Sequence, residues 1–196
     1  MAMLTLHDYP HCPFCERVRI ALAEKKIPYE KISVDLDNGE EDSPAFRRIN
    51  PLGRVPVLVD GRTIVCESNV INEYLEERFS KNRLIPGDPQ GRAEVRYWVH
   101  YSDDYLMDTL SKMFHQKKLP PDVMREIRDH LKYLNAALRN KQFLAEKLSL
   151  ADISFYPFIR RLQRWGISLK PYKNVLRWMA RLERRPAFKS ALQPPP

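Results

Sequence analysis

Leu4 and Leu6 alternate with polar neighbours, and then the period changes: Val18, Ala21 and Leu22 recur at helical spacing between Pro13 and about Lys25. Ile32, Val34 and Leu36 restore the alternation. Period two predicts a strand and period 3.6 a helix, so the start of the chain reads β-α-β. Ser43-Pro44 supplies a cap followed by proline at the first helical position, which predicts a short helix ending at Asn50-Pro51. Val55 to Val59, the turn pair Asp60-Gly61 and Thr63 to Cys66 predict a hairpin. The helix after it carries Val70, Ile71, Tyr74 and Leu75 on its inner stripe. The order β-α-β-α-β-β-α predicts a small mixed sheet with flanking helices.

Residues 81–90 hold two prolines and a glycine between periodic segments, as a linker does. Every later periodic segment is helical. One helix covers residues 92–114, and Pro120-Pro121-Asp122 opens another with Ile127, Leu131, Leu134 and Leu138 on one face. Ser149-Leu150-Ala151-Asp152 has capping-box spacing, Leu148 and Ile153 are placed as a hydrophobic staple, and the helix continues through Phe155, Phe158, Ile159 and Leu162. Pro157 is expected to bend it or to free a carbonyl. A final helix from Asn174 to Arg184 is stopped by Pro186, leaving a frayed tail from Gln193 to Pro196. The expected architecture is α/β followed by all-α, with residues 1–80 as one domain, 81–90 as linker and 91–196 as an all-helical domain.

The 196 residues suffice for two small domains with separate cores, and 43% hydrophobic content is ordinary for a globular chain. Charge divides where periodicity does. Residues 1–80 carry a net −4 and residues 81–196 a net +12, within +8 overall. A basic half suits nucleic acid, an acidic protein surface or anionic substrates. Solvated faces of amphipathic helices account for it more simply, and no nucleic-acid recognition motif accompanies it. No run approaches the roughly 18 apolar residues of a membrane span, and no basic segment leads into an apolar N-terminal run. Three cysteines do not describe a secreted disulfide framework; they suit a reducing, cytoplasmic setting with one working pair.

That pair is Cys12-Pro13-Phe14-Cys15, at the junction of the first strand and the first helix. Cys12 falls at the N-cap and Pro13 at the first helical position, where a missing N–H costs nothing. Free backbone N–H groups and the positive end of the helix dipole favour a Cys12 thiolate, with a pKa expected at about 6. Cys15 lies one turn on, its sulfur on the same face. A metal would need further ligands, and the chain offers only Cys66 and scattered histidines, so thiol redox chemistry is preferred and no metal is expected. Cys66 is expected to be a buried bystander.

Over nearly its whole length the chain resembles the cytosolic glutathione transferase superfamily. The matching pieces are Cys12-Pro13-Phe14 leading into Arg17-Val18-Arg19, the run Asn50 to Leu58, Glu67-Ser68 before Ile71 and Tyr74-Leu75, and Leu148 to Ile153. The cysteine motif looks most like omega-type, dehydroascorbate-reductase-like and glutaredoxin-2-like members. The resemblance implies a thioredoxin-like N-terminal domain joined to an all-helical C-terminal domain, with glutathione as co-substrate. It further implies a cis-proline at Pro56, with Val55 backbone pairing to the cysteinyl part of glutathione. By the same resemblance Glu67 and Ser68 hold the γ-glutamyl end and Arg54 the glycyl carboxylate. A homodimer is implied too, and contact between the acidic domain of one copy and the basic domain of the other suits it electrostatically.

Omega-type members usually have alanine where this chain has Cys15, so a dithiol route is open here. The stretch Phe143 to Lys147 lacks the glycine common before the family's Ser-x-x-Asp box. Tyr9 is a lesser candidate for polarising the glutathione sulfur. The expected mechanism is attack by the Cys12 thiolate on a disulfide or glutathionylated substrate, with glutathione or Cys15 resolving the mixed disulfide. A second substrate is expected along the helix of Trp98, Tyr101 and Tyr105, aromatics that equally serve as core. The rival is a regulatory protein, since Val18 to Lys25 and Tyr74 to Phe79 are also similar to bacterial stringent starvation protein A, which associates with RNA polymerase.

Overall fold

Leu4–Asp8 (β1) pairs in parallel with Tyr29–Ser33 (β2) and antiparallel with Val57–Asp60 (β3), which forms a hairpin with Thr63–Cys66 (β4). The sheet order in this computed structural model is β2-β1-β3-β4. Residues 3–113 and 120–192 are described, and they fall into two units: the chain up to Arg83 together with the segment from Arg185, and Leu84–Arg184.

In the first unit, alternation puts Leu4, Leu6 and Leu58 on one face of the sheet. There they pack with Val18 and Leu22 of helix α1 (Pro13–Lys25) and with Ile71 and Leu75 of α3 (Ser68–Arg78). Val57 turns to the other face and meets Val34 and Phe46, the latter on the short helix α2 (Pro44–Arg47). Ser43 caps α2 by accepting from the Phe46 N–H at 3.1 Å. β2 departs from expectation: it begins at Tyr29, Ile32 is 40% exposed, and Leu36 lies in a 3-10 turn. It is an edge strand, paired with β1 along one side only, and of its residues Tyr29 packs against the core of this unit. Val70 is also outside its expected stripe, at 56% exposure, because Ile71 and Leu75 set the inward face of α3.

α1 is buried on nearly every side because a further helix, α9 (Pro186–Leu192), covers it. Arg185 grips Glu24 through two hydrogen bonds of 2.7 and 2.8 Å. Arg19, paired with the buried Asp8, also donates to the Ala191 carbonyl. Thus Pro186 starts a helix as well as ending one, and where the sequence assigned this segment to residues 91–196, its contacts join it to the first unit. The tail from Gln193 lies outside the described residues.

In the second unit, Asp88 caps α4 (Pro89–His100) by accepting from the Gly91 N–H at 2.7 Å. The helix continues through a π turn, Tyr101–Leu106, into α5 (Met107–Ser111), so the expected 92–114 helix starts earlier and ends sooner; residue 114 lies outside the described residues. α6 (Pro121–Ala137) buries Val123, Ile127, Leu131 and Leu134, and α8 (Lys173–Glu183) buries Val175, Trp178, Met179 and Leu182. α7 (Leu150–Leu162), buried almost throughout, begins with the capping box that Ser149 and Asp152 predict. Asp152 goes further than a cap. Besides Ser149 it accepts from the Leu144 N–H at 2.9 Å and from Trp178 Nε1 at 2.8 Å, tying the Phe143–Lys147 stretch and α8 to the helix start. Full burial pushes its carboxyl pKa up to about 6 against the pull of the Leu144 N–H, the Trp178 indole and both the N–H and hydroxyl of Ser149.

Candidate active site

Cys12 sits where β1 hands the chain to α1. Its N–H donates to the Tyr9 carbonyl at 3.1 Å, its own carbonyl accepts from Glu16, and its extended backbone (φ −73, ψ 122) makes it the N-cap with Pro13 at the first helical position. Unlike Ser149, its side chain accepts no cap hydrogen bond in the sense of an N-cap oxygen. The thiol pKa is lowered to about 7. The main cause is a hydrogen bond from the Cys15 thiol, opposed by burial and aided by the backbone N–H groups of Cys15 and Phe14, with the Asp8 carboxylate pushing the other way. The expected value of about 6 took account of the helix end and not of burial or Asp8. Cys15 is fully buried, its sulfur accepts from the Tyr9 N–H at 3.4 Å, and burial followed by its neighbour Cys12 raises its pKa well above the ordinary thiol value. One member of the pair is a protonated donor and the other an acidic acceptor.

The second wall comes from the loop before β3. Asn50, 3% exposed, folds this loop: its Nδ2 donates to the Arg54 carbonyl at 2.8 Å and its Oδ1 accepts from the Leu52 N–H at 3.1 Å. Gly53 turns at φ +61, with the Arg47 guanidinium lying where a Cβ would be. The Val55-Pro56 bond is cis. Cys12 Sγ lies 4.0 Å from the Val55 carbonyl.

The third wall is the start of α3. Glu67, the N-cap, has φ +66 and ψ 123, a conformation that L residues rarely adopt and that structures tend to keep at ligand sites. Ser68 follows, buried, as the first helical residue. Together the walls enclose a pocket of about 360 Å³ lined by Phe14, Asn50, Arg54, Val55, Pro56, Glu67 and Ser68. Five residues singled out in the sequence are thus brought together. Cys12 and Cys15 are not on its lining; Cys12 joins it through Val55.

One candidate, Tyr9, is poorly placed for the chemistry, and the expected bystander Cys66 differs from expectation in its burial. The Tyr9 hydroxyl donates to both carboxylate oxygens of Asp37, at 2.8 and 2.9 Å, and that bond raises its pKa, so it is poorly suited to stabilise a thiolate. Cys66 ends β4 half-buried and not buried as expected, its pKa raised by desolvation and then by Glu67. The residue that sequence reasoning passed over is Arg17. It is 0% exposed, donates to Ser68 Oγ at 3.4 Å and holds its guanidinium 5.3 Å from the Phe14 ring centroid, bracing two walls of the pocket from behind. The signal was present: Phe14, Arg17 and Ala21 share one helical stripe, and a charged side chain on a buried stripe needs a partner.

Residues 6–83 match the family model for the glutathione S-transferase N-terminal domain and residues 102–186 that for the C-terminal domain. The chain is 28% identical to FtsZ-localized protein A of Caulobacter vibrioides over 96% of its own length and 90% of that protein's. It is 31% identical to glutathione S-transferase U1 of Arabidopsis thaliana, over 93% and 85% respectively. A solved glutathione transferase from Pseudomonas putida, with glutathione disulfide bound in each subunit, superposes with a TM-score of 0.89 at 26% identity, covering 99% of this chain and 92% of that one. With both domains matched in order and the fold shared end to end, this chain belongs to the glutathione S-transferase family.

Proposed function

We propose that the protein is a cysteine-type, glutathione-dependent thiol transferase in which Cys12 is the nucleophile. The reading rests above all on one observation: an acid-shifted thiol lies within 4.0 Å of the Val55 carbonyl, and Val55 lines the pocket that also gathers Arg54, Glu67 and Ser68. Glutathione fits those groups by charge. Arg54 takes its glycyl carboxylate, the Ser68 hydroxyl and backbone N–H take the γ-glutamyl carboxylate at the start of α3, and the exposed Glu67 carboxylate meets the ammonium. The Val55 backbone beside Pro56 pairs with the cysteinyl peptide.

In the reaction the Cys12 thiolate attacks the glutathione sulfur of a mixed disulfide R–S–S–G. The S–S bond breaks and its electron pair leaves on the R sulfur as a thiolate, which takes a proton, and Cys12 is left as Cys12–S–S–G. A second glutathione thiolate then attacks the glutathionyl sulfur, releasing glutathione disulfide and regenerating the Cys12 thiolate. Alternatively Cys15 attacks Cys12 sulfur, releasing glutathione and forming a Cys12–Cys15 disulfide that two further glutathiones reduce.

A cytoplasmic setting keeps that glutathione reduced, and among the described residues no helix is long and apolar enough to cross a membrane. A homodimer is part of the proposal, and sedimentation giving a monomer at micromolar concentration in both low and high salt would remove it. The test of function is turnover of a glutathionylated peptide together with calorimetry of glutathione. Activity that vanishes in Cys12→Ser while glutathione still binds supports the reading. Absence of both binding and turnover would overturn it and leave a non-catalytic, partner-binding role on this fold.

A further inference from the structure

The site above makes no use of the net +12 carried by residues 81–196. Within the helical unit, the turn after α6 and the outer side of α8 form an open recess. Lys141, Arg177 and Arg181 line it with the amides of Asn140, Gln142 and Asn174, and no acidic side chain is among its described lining. Asn140 turns the backbone at φ +63, which starts the connection that faces α8.

What distinguishes this from an ordinary basic surface is how the guanidinium groups are held. Arg181 Nη1 donates to the Gln142 carbonyl at 2.8 Å, and its guanidinium stands 5.9 Å from the Phe143 ring centroid. Arg177 donates to Asn174 Oδ1. Asn174 is itself fixed, because its backbone N–H donates to Asn135 Oδ1 at 2.9 Å and its Nδ2 to the Asn135 carbonyl at 2.7 Å. Among the described residues neither arginine has a carboxylate partner; only Lys141 does, with Glu94 at 2.8 Å. A carboxylate would fix a guanidinium and cancel its charge, whereas an amide or carbonyl fixes it and leaves the charge in place. Four residues apart on α8, the two forks share a face with about 6 Å between their Cβ atoms. Each keeps donors that match phosphate geometry.

We propose that this pocket binds a phosphorylated small molecule through two adjacent phosphoryl groups, one on each of Arg177 and Arg181, independently of glutathione chemistry. The probe is inorganic pyrophosphate, with ADP as the organic carrier of the same group, titrated calorimetrically into the full chain at low salt. Saturable one-to-one binding is expected. Arg177→Gln and Arg181→Gln should weaken it at least tenfold. Arg177→Lys, which keeps the charge and loses the fork on an exposed side chain, should weaken it several-fold, while Arg164→Gln, an exposed cation outside the pocket, should leave it unchanged. Absence of saturable binding would overturn the proposal. So would equal losses in Arg177→Gln and Arg164→Gln with none in Arg177→Lys, which is the behaviour of diffuse charge. Binding of a single-stranded oligonucleotide that the same variants abolish and that pyrophosphate fails to displace would overturn it in favour of a nucleic-acid surface.

Discussion

The helices α1 and α7 begin with the same problem and solve it in opposite ways. Each has backbone N–H groups without intrahelical partners at its first turn. At α7, Ser149 and Asp152 saturate the helix start, and Asp152 adds the Leu144 N–H and the Trp178 indole, so the start is closed and buried. At α1 the N-cap is Cys12, no side-chain cap bond forms, and the Cys15 thiol and the N–H groups of Cys15 and Phe14 favour a charged sulfur. The same donors stabilise a fold when an oxygen occupies them and an ionised nucleophile when a sulfur does. One start serves the core and the other is open to reaction.

The sharpest way to break this contrast is to exchange the roles by mutation. Cys12→Ser should lower thiol-transfer turnover by a thousandfold or more, since a serine hydroxyl is not ionised at neutral pH. Its effect on stability depends on pH. A thiol whose folded pKa is about 7 against 9.0 for a free one stabilises the fold by about 3 kcal/mol above pH 9, and loses that contribution as pH falls through 7. Chemical denaturation should therefore find Cys12→Ser weaker than the wild type at pH 9 and equal to it at pH 6.

Asp152→Ala should do the reverse. It leaves the Leu144 N–H, the Ser149 N–H and the Trp178 indole without their acceptor, so unfolding free energy should fall by about 3 kcal/mol, while activity per folded molecule survives. Full stability with lost turnover would assign Asp152 to the chemistry. Ser68→Ala, at the start of α3, is expected to weaken glutathione by about 1 to 3 kcal/mol in calorimetry without moving the Cys12 midpoint. The smallest effect sharpens the contrast most: Cys15→Ala removes the largest source of Cys12 acidity and should raise its midpoint from about 7, whereas Cys15→Ser keeps a donor and should raise it less. Both variants should still turn over glutathionylated substrates, where a second glutathione resolves the intermediate.

Much of this contrast was legible in the chain, because caps are local. Cys12-Pro13 and Ser149-x-x-Asp152 announce helix starts within four residues, and hydrophobic period distinguishes the sheet from the helical segments. The site's second and third walls were legible only through resemblance, since Arg54, Glu67 and Ser68 alone read as a surface cation and an ordinary cap. Long-range partners were not legible. The covering of α1 by Pro186–Leu192, the bracing of Ser68 by Arg17 and the binding of Trp178 by Asp152 each join positions far apart in sequence, which no spacing rule relates. Cys15 was read as a resolving thiol, and its hydrogen-bond donation to Cys12 was not legible for the same reason: it depends on burial, which keeps Cys15 protonated.

Because only the thiolate reacts, alkylation by iodoacetamide across pH, with the modified site assigned by mass spectrometry, reads the acidity of Cys12 itself. Cys12 should be modified first, with a midpoint at about 7, while the buried Cys15 and the half-buried Cys66 lag at every pH up to 9. A Cys12 midpoint at or above the ordinary thiol value of 9.0, or earlier modification of Cys15 or Cys66, would contradict it.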